Sequence, residues 1–164
     1  MAWAKFDGET ATGSVSGITL TGTSKKFNSW VGHGISVSNG NLEWRVGTTT
    51  IDTGSNYAYR RSSNGGSDST VTSTTFIRCG DAVTGGSDSY IVVAYACNIS
   101  GEEKLIISNS VRNDEGSGAG SAPARNEIVG KWSTTSGQFD AVFFGGTSGT
   151  NWAINTSCMA LGSD

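Results

Sequence analysis

No stretch of ten or more residues carries a helical period; apolar residues recur at every second position instead. At residues 41–46, Leu42, Trp44 and Val46 alternate with Glu43 and Arg45, the pattern of a half-buried antiparallel strand. At 89–99 one set, Ile91, Val93, Tyr95, Cys97 and Ile99, is apolar, and the opposite set, Val92, Ala94 and Ala96, is small. That predicts a central strand covered on both faces. At 103–111, Leu105, Ile107 and Val111 form one apolar face. At 125–133, Ile128 and Trp132 point inward with Gly130 between them, which leaves room for a close neighbour. Further candidate strands are 3–7, 15–20, 29–36, 57–61, 70–78, 139–144 and 156–161.

Turn clusters separate these runs: Ser38-Asn39-Gly40, Asp52-Thr53-Gly54, Ser63-Asn64-Gly65-Gly66 and Thr84-Gly85-Gly86. About ten short strands at near-even spacing predict an all-β, antiparallel, jelly-roll-like β-sandwich. A chain of 164 residues suits one such domain, residues 1–164. Two connections are longer, 113–124 and 144–152. The pentapeptide Gly-Gly-Ser-Asp-Ser occurs at 65–69 and again at 85–89 and reads as two similar turns, each entering a strand.

Charged residues make up 15% of the chain and 24 residues are glycine, a composition that in isolation suggests disorder. Five Trp, six Phe and four Tyr spread along the chain argue for a packed core instead. A net charge of −3 gives no basic footprint for nucleic acid, and Lys25-Lys26 and Arg60-Arg61 are isolated pairs. The N-terminus lacks the basic start and apolar stretch of a signal peptide, and no segment approaches the roughly 20 apolar residues of a membrane span. Synthesis in the cytoplasm and no membrane partner are expected. Cys79, Cys97 and Cys158 are an odd number without a CxxC pair, so free, mostly buried thiols are expected.

Chemistry has little to work with. His33 is the single histidine, in the strand-like stretch Val31-Gly32-His33-Gly34-Ile35, so any nucleophile–histidine arrangement must use it. Glu43 and Glu127 are strand carboxylates that a glycosidase would have to pair, and no spacing pairs them. No catalytic residue, cofactor or metal ligand set is expected; the turn residues Asp52, Asp68, Asp81 and Asp88 offer oxygen to calcium, but such residues also serve turns for backbone reasons. Trp30, Tyr57, Tyr59 and Trp152 lie near predicted loops, where aromatic rings stack on sugars, but a core or interface position suits each of them better. The N-terminal segment 1–12, with Trp3 and Phe6, is an apolar end suited to anchoring on a partner.

Three stretches carry a resemblance. They are 52–60 continuing into 63–70, Asn98-Ile99-Ser100 with Glu103-Lys104-Leu105, and above all the run from Gly118 to Trp132, GAGSAPARNEIVGKW, followed by Thr134-Thr135-Ser136-Gly137-Gln138. Together they resemble a group of largely uncharacterised tailed-phage proteins, often from marine settings, over about residues 50–162. The resemblance implies a virion component: a capsid decoration (cement) protein, or a tail-associated one. It implies no enzyme activity, and the major capsid protein or other virion proteins as partners. A homotrimer is expected by analogy of fold. Arg125, Glu127 and Lys131 of the motif are expected to pair across strands, with Arg125 and Lys131 available to a partner. The alternative is a carbohydrate- or receptor-binding module at a tail or virion surface.

Overall fold

In the computed structural model, which describes residues 2–22, 24–81, 88–113, 118–147 and 151–164, the chain forms two antiparallel sheets packed face to face. The predicted turn at 84–86, most of the second Gly-Gly-Ser-Asp-Ser copy and parts of both long connections lie outside the described residues.

The larger sheet has eight strands in the order β1 (Ala4–Thr10), β12 (Ser157–Ser163), β3 (Phe27–Ile35), β8 (Ser89–Cys97), β9 (Lys104–Arg112), β10 (Ala124–Trp132), β5 (Tyr57–Ser63) and β6 (Ser69–Thr74). The smaller has four, in the order β2 (Gly17–Thr21), β11 (Ala141–Gly146), β4 (Leu42–Gly47) and β7 (Ile77–Arg78). The antiparallel sandwich expected from the alternation is therefore present. The expected strand at 70–78 is two strands in different sheets. Ser73 takes a left-handed φ of 52°, the chain bends at 75–76, and β7 crosses to pair with β4. The Asn64-Gly65 signal is a tight hairpin turn: both residues have positive φ, and the Gly66 amide donates to the Ser63 carbonyl at 2.9 Å.

Aromatic rings fill the space between the sheets. A chain of contacts runs Trp132–Phe139–Trp30–Trp44–Phe144–Trp152–Tyr90, with centroid separations from 4.6 to 6.5 Å. All seven residues are buried. Their bulk dictates what can face them. A Cβ on Gly32 would lie 2.8 Å from the Phe144 ring, and one on Gly34 would lie 2.8 Å from Trp152. Gly130 makes the room expected of it, but the neighbour it admits is the aliphatic Ile77, whose Cδ1 would lie 2.8 Å from a Cβ there.

The same bulk sets the facing of the central strands and corrects the reading of β8. β8 is central, between β3 and β9, but it is not covered on both faces. Its buried set is Tyr90, Val92, Ala94 and Ala96, while Ile91 and Tyr95 are exposed. In β9 the face chosen by Leu105, Ile107 and Val111 is the outer one; Lys104, Ile106, Ser108 and Ser110 point inward. Ser108 accepts a hydrogen bond from the Trp44 indole at 3.2 Å, and the Lys104 ammonium donates to the carbonyls of Glu102 and Thr134. Small or hydrogen-bonded inner residues leave space for the indoles, so the larger aliphatic set goes outside.

Adjacent residues of β9 test this facing. Ile106→Ala should cost about 2–5 kcal/mol, as core truncations do. Ile107→Ala should stay within about 0.5 kcal/mol, as exposed substitutions do. Chemical denaturation of dilute protein measures both; equal losses would contradict the assigned faces.

Candidate functional site

The outward side chains of the larger sheet form one apolar surface, and strand register sets its rows. Ser29, Tyr95, Ile107, Val129 and Arg60 lie side by side across β3, β8, β9, β10 and β5. Next to them run Met159, Val31, Val93, Asn109 and Glu127, starting from β12. Beyond these rows lie His33, Ile91, Val111 and Arg125 at one end, and Phe27, Cys97, Leu105 and Lys131 at the other. Leu105 is 60% exposed, Ile107 55% and Tyr95 54%, unusual values for aliphatic and aromatic residues on central strands. Of the eleven large exposed hydrophobic residues among the described ones, eight lie on this face.

Leu105 stands between two shallow grooves. One is lined by Trp3, Phe27, Asn28, Tyr95, Leu105 and Ile107 among others. The other includes Tyr59, Arg60, Val71, Leu105, Val129 and Lys131. In the first, Asn28 is the only side chain with an amide, and its Nδ2 is already donated to the Lys25 carbonyl at 2.9 Å. Such a groove suits apolar contact and offers few groups to orient sugar hydroxyls.

Charge on this face gathers along β10 and at Arg60 of β5. Lys131 Nζ pairs with Glu103 at 2.7 Å, and Arg125 pairs with Glu127 at 3.7 Å along its own strand. The Arg125 amide donates to Asn64 Oδ1 at 2.8 Å, which fixes the start of β10 against the β5–β6 turn. These exposed pairs are worth little in stability, so the side chains remain available to a partner.

The other residues singled out from the sequence fall elsewhere. Trp30, Tyr57 and Trp152 are 1% exposed or less, and Tyr59 is 8% exposed. The rings of Trp30, Tyr57 and Trp152 belong to the core, which corrects their reading as sugar-stacking residues; Tyr59, also in the core cluster, lines the second groove. Trp3 is exposed at the first groove. Phe6 lies on the edge strand β1 and packs against the core, so residues 4–10 of the proposed anchor are part of the sheet.

His33 Nε2 and Ser89 Oγ are 2.9 Å apart across β3 and β8. Among the described residues no carboxylate bonds to His33, so the orienting member of a triad has no counterpart there. Two of the turn aspartates, Asp52 and Asp81, direct their oxygens to donors. Burial acts to raise the pKa of Asp52, but hydrogen bonds from the Trp132 indole, Asn56 and the Gly54 amide outweigh it and hold the carboxyl below its ordinary value. For Asp81, burial is outweighed by Ser63, Arg61 and Arg78, with the same result. Among the described residues no group of three or more His, Cys, Asp or Glu gathers as a metal site would require. The thiols are free; burial pushes Cys158 up to about 12 and Cys79 well above the usual range.

No protein-family model matches the chain, and no curated protein is similar to it. A solved structure with partial likeness is the CBM2 module of Lactobacillus casei BL23 phage J-1 evolved Dit, at 9% identity over 87% of this chain and 68% of that one. The TM-score is 0.26, too low to carry an argument about shared fold or role.

Glu43 and Glu127 belong to different sheets, and each alternates with residues that face the shared core, so they point away from each other. A glycosidase pair is thereby ruled out for these two carboxylates. Glu43 is fully buried, with Arg45 Nη2 at 2.5 Å from Oε1 and the Arg45 guanidinium 5.6 Å from the centre of the Phe143 ring. Burial raises its pKa to about 7, against the opposing pull of Arg45. A carboxyl raised in the folded state keeps its proton where the unfolded chain has lost it. Stability therefore falls as pH rises from about 4.5 to about 7. Glu43→Gln should remove that slope; thermal melts of both proteins between pH 4.5 and 7.5 check it, and parallel profiles would refute it.

Proposed function

We propose that the protein is a non-catalytic structural component of a tailed-phage virion, a decoration protein that binds the outer capsid and stabilises it. One observation carries the reading: the central strands of an eight-stranded sheet keep their small and polar residues inside and turn Ile91, Tyr95, Leu105, Ile107, Val111 and Val129 outward. A face of this kind is costly for a protein that works alone, and it is the surface that assembly covers. The motif Gly118–Trp132 supports the virion reading, because it leads into and includes β10, along which charge on this face gathers. Arg125 and Lys131 supply the polar rim that surrounds an apolar interface centre. Trp3 extends the same surface at the first groove.

The mechanism is mass action. A protein that binds the assembled shell and not its dissociated subunits stabilises the shell in proportion to occupancy. The test is co-sedimentation with expanded capsids of the phage that carries the gene, stripped of this protein. Binding should saturate at a fixed ratio to the major capsid protein and raise the melting temperature of the shell. Absence of saturable binding would overturn the assignment.

A further inference from the structure

We infer that the occupant of the outer face of the larger sheet is a second copy of this chain, held face to face about a two-fold axis. The inference rests on the reading of this face as an assembly surface, and it names the partner. Size is the first argument. The face carries eight large hydrophobic side chains that are 37–60% exposed, and an interface of standard size covers about 800 Å² on each partner. The largest apolar patch of a typical monomer is about 300–600 Å².

Self-complementarity is the second argument. Sheets stack about 10 Å apart with strand directions within about 30°. A two-fold axis parallel to the strands, between β8 and β9, keeps every row in register and exchanges the two strands. Ile91 then meets Val111 of the second copy, Tyr95 meets Ile107, and Cys97 meets Leu105, since these are the residues that share rows. The one polar residue near the centre, Asn109, meets Val93, its own row neighbour.

β10 lands over β3 of the second copy, with β5 over β12 outside it. Lys131 shares a row with Phe27, and the exchange sets its ammonium against that exposed ring. A three-fold arrangement joins two different patches on each copy. Outside this face and its Trp3 extension, the large exposed hydrophobic residues among the described ones are Val37 and Ile154, too few for a second patch. The two-fold pair thus replaces the trimer expected from fold analogy.

Light scattering and sedimentation velocity over a concentration series provide the test, with the full chain. The wild type should be a dimer of twice 16.9 kDa. Ile107→Asp should weaken the dimer by about a hundredfold or more, because two carboxylates are driven into an apolar interface. Its near-ultraviolet circular dichroism should match the wild type, since position 107 faces outward. Thr19→Asp, at an exposed position on the smaller sheet, should leave the dimer intact.

A wild type that stays monomeric, a trimer, or a dimer untouched by Ile107→Asp would each overturn the inference. Capsid co-sedimentation separates it from the functional reading. A monomeric wild type whose capsid binding is lost in Ile107→Asp means that a virion protein takes this face; self-pairing fails and decoration stands. A dimer that responds to Ile107→Asp while the wild type ignores capsids means that decoration fails and self-pairing stands.

Discussion

Seven aromatic rings from Trp132 to Tyr90 hold the two sheets at their separation, and the remaining residues are arranged around them. Phe144 lies over Gly32 and Trp152 over Gly34, so β3 can carry nothing larger at those inner positions. Neighbouring strands follow the same rule with Ala94 and Ala96 in β8 and with Ser108 and Ser110 in β9. Close packing makes this exclusion strict: a side chain on Gly32 has no free volume to enter. Since successive residues of a strand point to opposite faces, an inner face of small residues hands the bulky positions of the same strands to the outside. The exposed apolar surface is thus the counterpart of an indole-rich core.

How much of this was legible from the sequence differs by level. Strand existence was, because period-two alternation and turn residues are local properties. Every strand segment read from the sequence except 70–78 corresponds to one strand, and Asn64-Gly65 forms the tight turn its residue types favour. The break between β6 and β7 was not, since Ser73 and Thr75-Phe76 carry no Gly or Pro to mark it.

The facing of β8 and β9 was not legible either. Alternation defines two sets of residues but carries no sign; the sign is fixed by what packs from the other sheet. Leu105, Ile107 and Val111 look like a core face until Trp44 is known to sit against Ser108. One signal was available. Five Trp in a chain of 164 residues need small or hydroxyl-bearing neighbours, and the sets Ala94-Ala96 and Ser108-Ser110 are of that kind. The same reasoning would have moved Trp30 and Trp152 into the core, with Trp152 over Gly34.

An eight-stranded open sheet has a second exposed feature, its two edges, and how these are built bears on the route of assembly. β1 carries Lys5, Asp7 and Glu9, and its pairing with β12 is interrupted by a register shift between Lys5 and Asp7. β6 is a short run of Ser and Thr around Val71, with a register shift against β5 and a left-handed residue at Ser73. Charges, irregular register and short length are the devices that stop an edge from templating another strand. Both edges are therefore blunted, while the broad face is left regular in register and apolar. Growth by strand addition gives open arrays; contact through one face closes after a single partner. Guarded edges and an unguarded face are what the proposed face-to-face pairing requires.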